Sequence, residues 1–430
     1  MGDLFILEQN LKMWPKAKEG LLKRLTKTHF YGIMAITVYK IVFLKEVDEL
    51  SKKLDFFTAL LRPVGYLVAK LKFGYKYETA KDLPENYIVL SNHVTDYDPI
   101  LVGLSFKKQM FYVASEHITR WGWIYKVLHF VFEPIIRYKA TVAASTVMDI
   151  LRKVRKGANV CIFAEGVRTW DGVTSPVVPA TAQLVKSARC GLVTYRIEGG
   201  YFASPNWAAS SNTRRGRLFG APVGIYTKEE LAKMSVEEID EIIKRDLHED
   251  AYARQKTEML PYRGRKLAEG LDSLIFLCPK CRAHGTLTSK KDTVTCSACC
   301  HSFTYDKYGM LHGIDYQTVY ELNQWQRAEL EKDVENAVQY TAPNASLFTL
   351  AGHKLTAIAE GDAHITDEAI TIADVTIPLS TISDMGIHGR RTLIFSTTDN
   401  YYELKVPKGK NIVKFLYYRE FVKAKVKETV

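Results

Sequence analysis

His93 and Asp98 are the residues whose types and spacing first suggest chemistry. Ser91-Asn92-His93 follows the apolar run Tyr87 to Leu90, and Asp98-Pro99 then opens a helical pattern, with Asp suited to the N-cap and Pro to the first turn. On a continuous helix a five-residue spacing would set the two side chains about 140° apart, so Val94 to Tyr97 must turn if they are to meet. A neutral imidazole held in one tautomer by a carboxylate is a general base near neutral pH, able to take the proton of an alcohol. On its own, such a pair is more often an ordinary capped helix start.

Basic residues follow two later strand-like runs: Arg137 with Lys139, and Arg168 within Phe163-Ala164-Glu165-Gly166-Val167-Arg168-Thr169. Guanidinium groups at strand ends suit bidentate contact with a phosphate, although the common fate of any single Arg is a solvated surface. A second chemistry is written in Cys278-Pro-Lys-Cys281 and Cys296-Ser-Ala-Cys299, two Cys-x-x-Cys pairs with 14 residues between them. Four thiolates make a closed tetrahedral zinc site, structural because no position remains for water. Disulfides or an iron site are the alternatives, and His284, His301 and Cys300 are alternate ligands. Cys300 is the weakest of these, because adjacent cysteines seldom both reach one ion.

These residues need elements to position them. From Tyr87 the chain alternates short apolar runs with helical periods, the pattern of an α/β fold with a mostly parallel sheet. The runs are Tyr87 to Leu90, Met110 to Ala114, Pro134 to Ile136, Val160 to Ala164 and Leu192 to Ile197, with a helix over Val142 to Arg155 among the connections. Ser235 and Glu238 have capping-box spacing before a helix carried by Ile239, Ile242, Ile243 and Leu247. The organisation expected is amphipathic docking helices over 1–71, an α/β domain over 72–264, a zinc ribbon over 274–304, a helix over 315–339 ended by Pro343-Asn344, and a β domain over 345–430 closed by a helix from Asn411. Strands followed by one helix resemble a pleckstrin-homology-like module.

With 430 residues, 47% of them hydrophobic and 25% charged, the chain can bury more than one core and has no disordered or collagen-like signature. Lys and Arg number 59 against 48 Asp and Glu, so anionic membranes, phosphorylated substrates and nucleic acid are all candidate partners. The first thirty residues interleave Lys12, Lys16, Lys18, Lys23, Arg24 and Lys27 with Leu11, Trp14, Leu21, Leu22 and Leu25, as in a basic helix lying on an anionic bilayer. The apolar run Phe30 to Leu44 has 15 residues, short of the roughly 20 of a membrane span. The block Phe56 to Leu71 is interrupted at Arg62-Pro63. No signal-peptide pattern opens the chain, so a cytoplasmic protein associated peripherally or monotopically with the membrane is expected.

Asn92-His93 with Asp98-Pro99, Ile136-Arg137, and Phe163 to Thr169, in that order, resemble the glycerol-phosphate and lysophosphatidic acid acyltransferases over about Lys72 to Lys256. The resemblance implies His93 as base, Asp98 as its orienter, and Asn92, Arg137, Glu165, Gly166 and Arg168 as the substrate-binding set. It further implies transfer of an acyl chain from acyl-CoA or acyl carrier protein to a lysophospholipid hydroxyl, most simply that of 1-acylglycerol-3-phosphate, with no covalent enzyme intermediate. Two departures stand out: Ala164 where the family usually has Pro, and Val193-Thr194-Tyr195 where it has a Val-Pro element. Backbone N–H groups at the helix start after Asp98 are the expected oxyanion donors. No Gly-x-Ser-x-Gly elbow offers a serine nucleophile. The rival readings are a lipid-binding scaffold, an acyltransferase with another lipid acceptor, and a nucleic-acid-binding protein built on the ribbon. The last lacks any basic-aromatic strand or reading helix.

Overall fold

A computed structural model describes residues 55–137, 144–209, 211–351 and 354–428. The basic helix expected over the first thirty residues, the run Phe30 to Leu44, and Lys139 lie outside the described residues. Two compact units are formed, 1–59, of which 55–59 are helical, and Leu60–Val430, which carries everything below.

The larger unit opens with helical residues 60–73 (α1), which run on through Pro63. Arg62, read as an interruption, donates from Nη2 to the carbonyls of Gly103, Leu104 and Phe106. These carbonyls lie at the end of the next helix, where few backbone donors remain, and a guanidinium satisfies them well. Lys76–Tyr77 (β1), Tyr87–Ser91 (β2), Asp98–Ser105 (α2), Met110–Ser115 (β3), Trp123–Phe132 (α3), Ile135–Arg137 (β4), Ala144–Arg155 (α4), Asn159–Phe163 (β5), Thr181–Ala188 (α5), Gly191–Glu198 (β6) and Phe219–Tyr226 (β7) complete a seven-stranded α/β layer. Its order is β1-β7-β6-β2-β5-β3-β4, and β6, β2, β5, β3 and β4 run parallel. All five residues of β2 are buried, as a central parallel strand covered on both faces requires.

β7 runs antiparallel to β6 and was not expected from sequence. Gly220, Pro222 and Gly224 disguise it, because Gly and Pro ordinarily punctuate strands. The register shifts where Thr194 and Tyr195 meet this segment, and Tyr195 pairs with Pro222, so a bulge absorbs the missing donor. Val236–Leu247 (α6) carries the expected capping box of Ser235 and Glu238. Ala251–Glu258 (α7) follows.

Leu287–Lys290 (β8), Thr293–Cys296 (β9), Ser302–Tyr305 (β10) and Leu311–His312 (β11) form a four-stranded antiparallel ribbon. The connecting helix, Val319–Glu335 (α8), is shorter at both ends than the sequence reading: Thr318 and Glu321 form a capping box at its start, and Asn336 caps its end before Ala337 turns to φ 53°. The tail is a seven-stranded antiparallel sheet of Tyr340–Ala351 (β12), Lys354–Ile365 (β13), Ala369–Ile372 (β14), Val375–Pro378 (β15), Asp384–His388 (β16), Thr392–Ser396 (β17) and Tyr401–Lys405 (β18), followed by Val413–Glu428 (α9). Pro343-Asn344, expected to end a segment, is instead a bulge inside β12, with Asn344 at φ 52°.

One hydrophobic core runs from Ala69 of α1 to Tyr418 of α9. The tail is also tied to the α/β layer by polar contacts. Glu403 of β18 pairs with Arg120, and Tyr401 shares a hydrogen bond of 3.3 Å with His117, just after β3.

Candidate functional site

The site begins at the carboxyl end of β2, where strand, turn and helix start meet. The turn Val94 to Tyr97 forms and brings the expected pair together, with His93 Nδ1 2.8 Å from Asp98 Oδ2. Asp98 does not cap its own helix as the sequence suggested: the N-cap position is Tyr97, with no side-chain bond. The carboxylate instead faces back into the turn, accepting from Val94 N at 2.7 Å, from Thr95 N at 3.0 Å and from Thr95 Oγ1 at 2.6 Å. Its side chain is 0% exposed. A buried carboxylate needs such donors: Val94 N and Thr95 N hold Oδ2, the oxygen that also meets the imidazole, and Thr95 Oγ1 holds Oδ1. With Nδ1–H donating to Asp98, Nε2 carries the lone pair of a base. The ring of Phe163, at the end of β5, stacks on the imidazole at 4.6 Å between centroids.

Glu165 lies behind this corner. Its Oε1 accepts from the His93 amide and its Oε2 from the Ser175 amide, both at 2.6 Å. Burial pushes its pKa up to about 8, against the opposing effect of the two amides. Asn92 is likewise fully buried, its amide bonding both N and O of Ile197 on β6 at 2.8 and 2.9 Å. Expected to touch substrate, Asn92 and Glu165 are engaged with backbone instead; they pin the His93 segment between β6 and the 175 loop.

Arg137 lies beside Gly166. Gly166 has φ +70°, and a Cβ added there would lie 3.5 Å from Arg137 Nη1. Arg168 donates to Asp96 Oδ1 at 2.6 Å and to the Ser204 carbonyl at 3.0 Å, while its buried Nε has no partner among the described residues. The amides of Ile100 and Leu101, expected as oxyanion donors, are bonded to the Tyr97 carbonyl at 2.9 and 3.0 Å. They belong to the helix. Thr95, Asp96, Phe163 and Ser175 were missed by sequence reasoning; only Thr95, a turn residue three before a carboxylate, left a readable signal.

The two departures from the resemblance lie in the packed interior. Ala164 is buried and its N–H and C=O bond Ser91 and Val178. Thr194 is fully buried, and its hydroxyl donates to Asp246 of α6 at 2.8 Å. Neither removes a polar group from the His93 corner.

The four cysteines also converge. Their Sγ atoms all lie within 4.8 Å of one another, with Cys278 to Cys299 at 3.7 Å and Cys281 to Cys296 at 3.8 Å. Ligands about 2.3 Å from a tetrahedral zinc stand about 3.8 Å apart, the separation of these two pairs, so the four suit a metal ion. Cys300 and His284 are not in the cluster.

Residues 75–198 match the family model described as Acyltransferase. That span contains His93, Asp98, Arg137, Glu165, Gly166 and Arg168. Among solved structures, the chain is similar to the 1-acyl-sn-glycerophosphate acyltransferase PlsC of Thermotoga maritima, at 18% identity and TM-score 0.37, covering 56% of this chain and 96% of that one. It is also similar to the N-terminal PH domain of human ARAP2, at 16% identity and TM-score 0.16, covering 21% and 81% respectively. No curated protein matches the chain.

Proposed function

We propose that the chain transfers an acyl group from acyl-CoA or acyl carrier protein to the free hydroxyl of a lysophospholipid, 1-acylglycerol-3-phosphate being the preferred acceptor. The observation that carries this reading is the 2.8 Å contact of His93 Nδ1 with a fully buried, four-times-bonded Asp98. His93 Nε2 takes the hydroxyl proton as the oxygen attacks the thioester carbonyl. The tetrahedral adduct then expels the thiolate, which leaves with that proton from the imidazolium. Asp98 stabilises the imidazolium between the two events and keeps its own charge.

The acceptor phosphate is assigned to Arg137 and Arg168. The Val167 and Arg168 amides, beside Gly166, add donors, since neither meets an acceptor among the described residues. A zinc ion held by Cys278, Cys281, Cys296 and Cys299 fixes the ribbon and takes no part in transfer.

Membrane docking follows from the apolar surface. Leu60, Leu61, Val64, Leu67, Val68 and Leu71 form a stripe at helical spacing along α1, and all are exposed. Trp121, Trp123, Val127 and Phe130, in and just before α3, are exposed as well. α1 packs on α2, the helix that Asp98 opens, so the stripe belongs to the scaffold of the site. No described helix is long and apolar enough to cross a membrane. An anionic surface suits the chain's excess of basic residues.

An acceptor panel with the purified chain tests the assignment. Thiol release from acyl-CoA should be at least about tenfold faster with 1-acylglycerol-3-phosphate than with the same lipid lacking phosphate. Arg168→Ala should erase most of that preference. Equal rates for both acceptors would place the acceptor in another lipid class.

A further inference from the structure

A cavity of about 370 Å³ opens where three parts of the larger unit meet. The ribbon contributes His284 and Leu287, the start of β12 contributes Tyr340 and Thr341, and the segment entering α9 contributes Lys410 and Lys414. None of these residues serves the acyl-transfer corner. Its size is that of a small-molecule site, and its wall mixes cationic groups with apolar ones, Phe276 and Val338 among the latter.

Lys414 is the anomaly. It is 4% exposed, and among the described residues its ammonium donates to the Thr341 carbonyl and pairs with no carboxylate. Asp272, the acidic residue of the wall, accepts from Ser289 and stays beyond ion-pairing distance of Lys414. An isolated buried charge costs several kcal/mol, and a methionine would fill the same space without that cost. Burial, with Lys410 nearby, accordingly pushes the Lys414 pKa down to about 8. Two ammonium groups beside one cavity, neither ion-paired among the described residues, describe a half-complete ion pair.

We propose that this cavity is a second ligand site, for a phosphate-bearing molecule: Lys414 and Lys410 hold the phosphate, and Phe276, Leu287 and Val338 cover an attached apolar group. The ammonium suits phosphate as a point charge. This site stands independently of the acyltransferase reading, because it uses other residues and another part of the fold.

Hydrogen exchange on the full chain, resolved by peptide, reads the site directly. The probes are dihexanoyl phosphatidic acid below its micelle concentration, inorganic phosphate, and hexanoate. Phosphatidic acid is expected to protect residues 338–343 and 407–416, and Lys414→Met to raise the midpoint concentration about tenfold or more. Lys410→Gln should raise it by a smaller factor. Lys414→Met should melt no lower than the parent and should transfer acyl groups at the parent rate.

Protection by inorganic phosphate at the same concentration would make the free anion the occupant; protection by the lipid alone would make it a headgroup. Both outcomes support a phosphate site. Protection by hexanoate equal to that by the phosphate ligands, or by none of the three, would overturn it. So would undiminished protection in a folded Lys414→Met protein, and if that variant does not fold, undiminished protection in Lys410→Gln decides the matter in the same way.

Discussion

The His93 corner and the cysteine ribbon are both polar clusters at strand ends, yet they are held in opposite ways. At the corner, every group that positions the imidazole belongs to the chain: Asp98 is fixed by two amides and a hydroxyl, and Glu165 and Asn92 hold the backbone from behind. At the ribbon, Cys278–Cys299 and Cys281–Cys296 stand at zinc-ligand separation, and only Cys296 lies on a strand, the four-residue β9; the other three lie outside the strands, too little structure to hold that arrangement alone. One cluster leaves a lone pair open on Nε2; the other closes on itself. On the proposed reading, hydrogen bonds within the chain build the reactive site and a metal ion closes the structural one.

The sharpest way to break this contrast is to remove the metal. Structural zinc contributes on the order of 10 kcal/mol of folding free energy, so chelation should unfold the ribbon while leaving the α/β layer folded. Far-ultraviolet dichroism and hydrogen exchange over residues 276–305 would show the loss. Metal analysis should find close to one zinc per chain, and protection of the ribbon in metal-free protein would refute its role.

The docking stripe gives the next largest effect. Each exposed Val or Leu of α1 that enters a bilayer gains roughly 1.5–3 kcal/mol, so Val64→Glu with Leu67→Glu should lower binding to anionic vesicles by a hundredfold or more. Sedimentation with vesicles measures it. Unchanged binding would move the docking surface elsewhere.

Glu165 supplies a smaller, pH-dependent effect. Its folded pKa lies above the ordinary 4.5, at about 8, so the native state binds the proton more tightly than the unfolded chain does. The stability this contributes is complete below pH 4.5 and is lost as pH rises towards about 8. Melting temperature should therefore decline across that window in the parent and decline less in Glu165→Gln. Parallel curves would remove Glu165 from the account.

These effects also mark what the sequence could show. The parallel strands were legible from their short apolar runs, such as Tyr87 to Leu90, which lies buried. β7 was not, since Gly220, Pro222 and Gly224 imitate a loop, and Pro343 imitates a break where β12 only bulges. The His93–Asp98 partnership was legible as residue types at a turn-forming spacing. The inward roles of Asn92 and Glu165 were not, because a polar side chain in sequence does not say whether it faces substrate or backbone. Lys414 was hidden for the same reason: within a basic C-terminal helix it reads as one more solvated lysine.

The central claim is that His93, held by Asp98, is the base of an acyl transfer. A steady-state assay of thiol release from acyl-CoA with 1-acylglycerol-3-phosphate, comparing the parent, His93→Ala and Asp98→Asn, tests it most directly. Loss of a positioned base should reduce kcat about a hundredfold to ten-thousandfold in His93→Ala, and Asp98→Asn should lose a large part of the same rate, with folding retained in both. Parent-like turnover in a folded His93→Ala protein would contradict the account.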